Sequence, residues 1–406
     1  MQKSNWKKCK LGDALNFHRG YDLPRNQMTG RGYPVIGSNG VIGYHSKYTT
    51  TGPCLVIGRS GNTGKPSLYR QPCWAHNTTL YVDDFKGNDS QYLYYLISTM
   101  NLGSYAAGSA VPTLNRNHIH PLEISLPPIE EQKRIAGVLG AFDDKIELLQ
   151  KQNKMLENMA KALFKSWFVD FDVVHAKQQG QPKAAVMQQY HLTEELYNLF
   201  PSSFEPSALG PIPTGWQVKT VQDLGDIICG KTPSTTHKEY FGGDTPFITI
   251  PDMHNNIFIY QTERYLTKAG EISQSSKTLP PYSVCVSCIA TPGLVSLTTI
   301  PSQTNQQINS VIPFNLETKY YNYYILRSVA KQIARRGSGG SVFGNLNKTA
   351  FSKIPILWAI EKLQIFFTQK IEILFNKIQM NNKQIQTLTE MRDALLPRLI
   401  SGKIRV

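Results

Sequence analysis

Chemistry on a polyanion needs small, polar and basic side chains on turns that can come close to a phosphate. Gly58-Arg59-Ser60-Gly61-Asn62-Thr63-Gly64-Lys65 is such a turn, directly after the apolar run Cys54-Leu55-Val56-Ile57. Glycines let the backbone approach phosphates, while Arg reads guanine edges and Asn reads adenine edges. Lys231-Thr232-Pro233-Ser234 and Arg335-Arg336-Gly337-Ser338-Gly339-Gly340-Ser341 have the same character. The candidate contacts are Arg19, Arg59, Ser60, Asn62, Lys65, Ser109, Lys231, Thr232, Ser234, Arg335, Arg336, Ser338 and Ser341. Any one of them alone reads equally well as a solvated surface residue; as loops they read as contacts. The formal charge of +14 points the same way, to a polyanionic partner and to nucleic acid first.

Catalytic patterns fail one by one. Leu279-Pro280-Pro281-Tyr282 mimics the Pro-Pro-Tyr of adenine methyltransferases, but that motif needs Asn, Asp or Ser first to bond the target amino group, and Leu279 cannot. Asn62-Thr63-Gly64-Lys65 imitates a phosphate loop, yet Arg59 occupies the first glycine position and Pro66 replaces the magnesium-binding hydroxyl. Pro251-Asp252 has no Glu-x-Lys at short range to complete a nuclease site. Cys285-x-x-Cys288 lacks the second ligand pair that zinc requires. The chain is therefore expected to hold no catalytic residue, no metal and no cofactor of its own.

Two long helices must position these loops. From Ile135 the apolar residues step by four and three through Leu139, Phe142, Ile146 and Leu149 to Leu156, Ala160, Leu163 and Trp167. Asn153 is the one polar seam position. This is a coiled-coil seam, started by Pro127-Pro128 and the acids Glu130-Glu131. Adding 232 to each number gives a second seam from Phe367 to Leu399, with Asn381 and Arg392 inside it. Gly402 is the expected C-cap, and Pro397 is expected to kink the last turn. An antiparallel pair centred on residue 151 puts Ile135 opposite Leu399, Trp167 opposite Phe367, and Asn153 opposite Asn381. Two amides meeting across an apolar seam would fix its register, and through it the spacing of the domains.

The rest of the chain repeats as well. Trp6 and Trp216 each precede a glycine, Gly20 and Gly230; Cys54 to Arg59 aligns with Ser283 to Cys288; Gly64 aligns with Gly293, and Tyr94-Tyr95 with Tyr323-Tyr324. The expected parts are a domain at 1–126, a long helix at 127–171, a connector at 172–210, a second domain at 211–357 and a second long helix at 358–402. The connector is polar, and Ala176 to Lys183 is expected to be flexible. No run of 18 apolar residues exists, and six scattered cysteines in so long a chain fit reduced thiols, so a cytoplasmic protein without a membrane span is expected.

These residues carry a resemblance. Leu126-Pro127-Pro128-Ile129-Glu130-Glu131-Gln132, Phe200-Pro201-Ser202-Ser203-Phe204, Pro213-Thr214-Gly215-Trp216 and Leu395 to Ile404 resemble, over nearly the whole chain, the specificity subunits of type I restriction-modification systems. Asn305-Gln306-Gln307-Ile308-Asn309 recurs in that family's target-recognition domains, and Ala75-His76-Asn77-Thr78 stands in its place in the first half. The resemblance implies an α+β fold: two similar mixed α/β target-recognition domains joined by two long helices in an antiparallel coiled coil, with a pseudo-twofold internal repeat. It implies double-stranded DNA as partner, read as a bipartite asymmetric site. It also implies methyltransferase (modification) subunits that use S-adenosylmethionine to methylate adenine, and restriction subunits driven by ATP with Mg. Val138, Leu148, Met155, Met159, Phe164, Phe168, Met380, Met391, Leu396 and Ile400 are apolar but off the seam, so they would pack either against the chain's own globular domains or, as the resemblance favours, against methyltransferase helices. Two readings of other classes are a coiled-coil interaction protein without a DNA role and a catalytic DNA methyltransferase fused to its reader.

Overall fold

A computed structural model describes residues 5–108, 112–289, 291–337 and 346–406, and for 331–337 the backbone alone. The heptad seams form two helices of 40 residues, α1 (Ile129–Phe168) and α2 (Glu361–Ile400), whose ends keep the 232-residue offset. The chain divides into two compact units, Met1–Gln150 with Asn382–Val406, and Lys151–Asn381. Each long helix thus gives part of its length to each unit.

In the first unit, β2 (Asn16–Arg19), β8 (Thr79–Asp84), β5 (Cys54–Gly58) and β6 (Pro66–Tyr69) form a four-stranded sheet in the order β2-β8-β5-β6. β5 is buried at every position, as its unbroken apolar run requires of a central strand. A second sheet has the order β4-β3-β7, from β3 (Tyr33–Gly37), β4 (Gly40–His45) and β7 (Trp74–Ala75). A third pairs β1 (Lys7–Lys10) with β9 (Glu123–Leu126). The helix Ser90–Ser98 is capped by Asp89, whose carboxylate accepts the Tyr92 N–H at 2.8 Å. It packs Tyr92, Leu93 and Leu96 into one core with Ile135 and Leu139 of α1 and Leu399 and Ile400 of α2.

The polar connector, expected to be flexible from Ala176 to Lys183, carries regular structure. Short helices run over Asp172–Gln178, Lys183–Gln189 and Glu194–Leu199, before a hairpin of β10 (Phe204–Glu205) and β11 (Ile212–Pro213). Val173, Val174, Ala176, Val186, Leu196 and Phe200 are buried with Phe168 and Trp216 in the core of the second unit. The polar window between 176 and 183 hid the apolar residues that flank it.

The second unit repeats the first strand by strand. Its main sheet has the order β13-β20-β17-β18-β15: β13 (Gly225–Cys229), β20 (Ile308–Pro313), β17 (Val284–Ser287), β18 (Val295–Thr298) and an added edge, β15 (Phe258–Ile259). The three-stranded sheet is β16-β14-β19, from β14 (Phe241–Ile248), β16 (Arg264–Leu266) and β19 (Gln303–Thr304). The closing pair is β12 (Gln217–Thr220) with β21 (Pro355–Trp358). The parallel pairs agree in detail: Ile36 is opposite Ala75, as Ile248 is opposite Thr304.

The long helices run antiparallel in both units. In the second, the end of α1 meets the start of α2: Trp167 and Phe367 have ring centroids 6.1 Å apart. In the first, the seam arginine Arg392 donates to Asp143 of α1 at 2.6 Å. Asn381 donates through Nδ2 to Asn153 Oδ1 at 2.8 Å. Helix α2 continues through Pro397 to Ile400, and Gly402 closes it with φ +70°. The off-seam apolar residues divide. Phe164, Phe168 and Ile400 are buried, and Val138 and Leu396 half-buried, against their own unit. Leu148, Met155, Met159, Met380 and Met391 are exposed.

Candidate nucleic-acid interface

One turn, Ala75 to Thr79, gathers the candidate residues of the first unit. Gly20 N–H donates to Thr79 O at 3.0 Å and Tyr21 N–H to Ala75 O at 2.8 Å. Arg59 and Ser60 both donate their N–H to Thr78 O, at 2.8 and 3.3 Å. Only glycine fits at position 20, because a Cβ there would stand 2.1 Å from His76 O. The loop from Gly58 to Lys65 closes on itself, with Gly64 N–H to Gly58 O at 2.8 Å. Gly64 has φ +75°, and a Cβ on it would meet Gly103 N at 2.1 Å, so this loop seats tightly on the next one.

The turn therefore ties Arg59 and Ser60 beside Gly20, with Arg19 one residue before that glycine and Asn62 and Lys65 in the loop that follows Ser60. Arg19, Asn62 and Lys65 are exposed and Arg59 is half-buried. Arg19 lies 3.8 Å from the Asp22 carboxylate, an exposed pair of little strength. Among the described residues the side chains of Arg59, Asn62 and Lys65 make no hydrogen bond or ion pair within the protein. Asn77 Nδ2 donates to Asp22 Oδ1. Burial pushes the His76 imidazole below its ordinary range, so at pH 7 this ring is neutral and the positive charge here comes from Arg and Lys.

The second unit builds the same turn from Thr304 to Ile308. Gly230 N–H donates to Ile308 O at 3.1 Å, Lys231 N–H to Thr304 O at 2.9 Å and Cys288 N–H to Gln307 O at 2.9 Å. A Cβ on Gly230 would stand 2.1 Å from Asn305 O. Thr232 Oγ1 donates to Gln306 Oε1 at 2.7 Å, where the first unit has Asn77 and Asp22. Lys231 and Thr232 thus occupy the places of Tyr21 and Asp22, and the place of Arg59 is taken by Cys288, buried directly after β17. Ser234 is exposed and shares a hydrogen bond with Thr236 at 2.7 Å. The backbone at Arg335 and Arg336 ends the helix Lys319–Gly337, while their side chains lie outside the described residues. Ser109, Ser338 and Ser341 also lie outside them.

Sequence reasoning passed over Asn77 and Gln306, which lie in the turn itself. The Asn305-Gln306-Gln307 run was the available signal; its counterpart is His76-Asn77-Thr78, which shares its hydrogen bonds and no residue. The stretches of chain that lead from each glycine to its turn also differ in charge. Between Gly20 and Thr79 the chain carries Arg25, Arg31, Lys47, Arg59, Lys65 and Arg70 against one acid, Asp22. Between Gly230 and Ile308 it carries Lys231, Lys238, Arg264, Lys268 and Lys277 against Glu239, Asp244, Asp252, Glu263 and Glu271.

The motifs that imitate reacting centres have structural surroundings. Leu279 is fully buried, its N–H bonded to Ser302 O at 2.8 Å. Burial pushes the thiols of Cys285 and Cys288 up to about 12 and about 11, so both stay protonated. Among the described residues no helix is long and apolar enough to cross a membrane.

The two units are copies of one α+β domain, each with the same glycine-centred turn, which defines an internally duplicated protein. The family described as Type I restriction modification DNA specificity domain matches residues 3–158 and 213–390. The chain is 39% identical over 351 residues to the type I restriction enzyme HindI specificity subunit of Haemophilus influenzae, covering 78% of this chain and 75% of that one. It is 28% identical over 334 residues to the MjaIX specificity subunit of Methanocaldococcus jannaschii, covering 78% and 69%. The fold is similar to the crystal structure of the type I restriction-modification system S subunit from M. genitalium, with a TM-score of 0.61, 16% identity and coverage of 98% and 97%. The chain belongs to the type I restriction-modification DNA specificity family, and its two repeats are that family's two specificity domains.

Proposed function

We propose that this chain is the DNA-reading, non-catalytic subunit of a type I restriction-modification complex, acting in the cytoplasm. Each unit reads one half of a bipartite, asymmetric duplex site. Partner subunits then methylate adenine there or cut the DNA. The observation that supports this best is the common hydrogen-bond frame around Gly20 and Gly230, which carries different side chains in the two units. A shared frame with different side chains is what two different half-sites call for.

The partners follow from the same reading. The exposed Met155 and Met159 share one face of α1 with Lys151, Lys154, Asn158 and Ala162. Flexible methionine side chains suit packing against another helix, and we assign this face to a methyltransferase (modification) subunit. S-adenosylmethionine, ATP and Mg belong to the methyltransferase and restriction subunits in this reading, and none to this chain.

The test has two arms. The purified full chain should bind duplex DNA with an affinity that falls log-linearly with salt, and should transfer no methyl group by itself. A coiled-coil protein without a DNA role would show no such binding. Methyl transfer by the chain alone would favour the fused methyltransferase instead.

A further inference from the structure

The two units share their strands but not the connection that follows β3 and its counterpart β14. In the first unit, β3 reverses at Ser38-Asn39 straight into β4, with Gly37 paired to Gly40. In the second, residues 249–263 intervene between β14 and β16, with a helical turn at Ile250–Met253 and the edge strand β15, whose Phe258 and Ile259 are buried. The frame is common, so what differs beside it is where different base sequences can be told apart.

The β3–β4 ribbon stands beside the turn. Ser38 N–H donates to Thr78 Oγ1 at 3.3 Å, so the tip is tied to the turn that also holds Arg59 and Ser60. Ser38 Oγ lies 3.4 Å from where a Cβ on Gly61 would stand, beside the glycine-rich loop. Asn39 at the tip is exposed. Val41, Ile42 and Tyr44 are 46%, 36% and 46% exposed, although the water-facing side of an antiparallel hairpin is usually polar. The exposed cations Arg31 and Lys47 flank the base of the ribbon. A two-stranded ribbon, its strands about 4.8 Å apart, fits a B-DNA major groove roughly 12 Å wide. There an Asn amide pairs with adenine N6 and N7, and apolar side chains meet the thymine methyl.

We propose that the β3–β4 ribbon is the major-groove reading element of the first unit, with Asn39 as its base-specific contact and Val41 and Ile42 as its apolar edge. This rests on the DNA-reading function proposed above. It makes Arg59 and Lys65 phosphate anchors next to the ribbon. It also leaves the second half-site to a different element, the connection 249–263.

The experiment selects a duplex library, randomised across both half-sites, on the full-length chain and on its Asn39→Ala and Val41→Ala/Ile42→Ala variants. Because these side chains are exposed, thermal melts should be unchanged. Asn39→Ala should reduce discrimination about tenfold at one or two adjacent base pairs of a single half-site, leaving the other half-site and the salt slope as they were. The Val41/Ile42 variant should weaken selection for A·T pairs in that same half. Unchanged base preference in Asn39→Ala overturns the inference, as does a loss spread over both halves or a change of salt slope alone. If the unaltered chain selects no sequence at all, the DNA-reading function fails and this inference fails with it.

Discussion

Asn381 donates through Nδ2 to Asn153 Oδ1 at 2.8 Å, within the second unit, and Asn381 is 1% exposed. The seam residues on either side of Asn153 on α1, Leu149 and Leu156, are apolar, so no other seam residue of that helix can take this amide. Its own Oδ1 has no partner among the described residues. Replacing Asn153 by Leu should therefore cost about 1–3 kcal/mol, by leaving a buried amide without its acceptor. Replacing both by Leu should restore or raise stability while loosening the register. A double-mutant cycle from chemical denaturation measures this; additive effects of the two changes would count against a coupled pair.

Charge should divide unequally between the units. Six Lys and Arg face one acid between Gly20 and Thr79, whereas five face five between Gly230 and Ile308. Each phosphate that is no longer neutralised should lower the log–log salt slope by about 0.9. Changing Arg59 and Lys65 to Gln together should thus reduce the slope by nearly two if both meet phosphates. Changing Lys268 and Lys277 should leave it almost unchanged, and Lys268 is already paired with Glu271 at 2.9 Å. Binding of the full chain to one duplex over a salt series decides the matter; an equal fall in slope for the two units would refute it.

Gly64 tests whether the loop must hold its shape. At φ +75°, with Gly103 N 2.1 Å from a hypothetical Cβ, alanine is both strained and obstructed. Gly64→Ala should destabilise the first unit by more than about 1 kcal/mol and weaken discrimination in that unit's half-site. Thermal melts and base-preference selection would read the two effects. An unaltered melt with full discrimination would show that the loop accommodates a side chain freely.

His120 should make the first unit sensitive to acid. Its Nε2 accepts the Phe17 N–H at 3.1 Å, which requires an unprotonated nitrogen. Burial, then the charges of Arg116 and Lys86, hold its pKa below the ordinary 6.5. A histidine with a depressed folded pKa contributes stability that is whole above the unfolded value and is lost as pH falls through the folded one. The melting temperature should therefore fall as the pH drops below the ordinary 6.5 of a free imidazole. In His120→Gln that pH dependence should shrink; if the variant keeps the full dependence, another group is responsible.

The sequence by itself determined the periodic and duplicated features. Heptad spacing is local, so the seams, the 232-residue offset and the facing of Asn153 and Asn381 could be read from residue types alone. The pairing of Gly20 with Gly230, and of Gly64 with Gly293, was equally visible. What the tertiary structure decided was which residues share a turn. Gly20 bonds to Thr79 and Arg59 to Thr78 across sheets whose partners lie far apart in the chain, and no local pattern encodes such pairings. So Lys231-Thr232, which looks like the Arg59 loop in composition, takes the place of Tyr21-Asp22. The 172–210 segment reads as polar linker, yet its scattered apolar residues find a core in Phe168 and Trp216. Composition governs what a short window prefers, while burial against distant residues governs what it becomes.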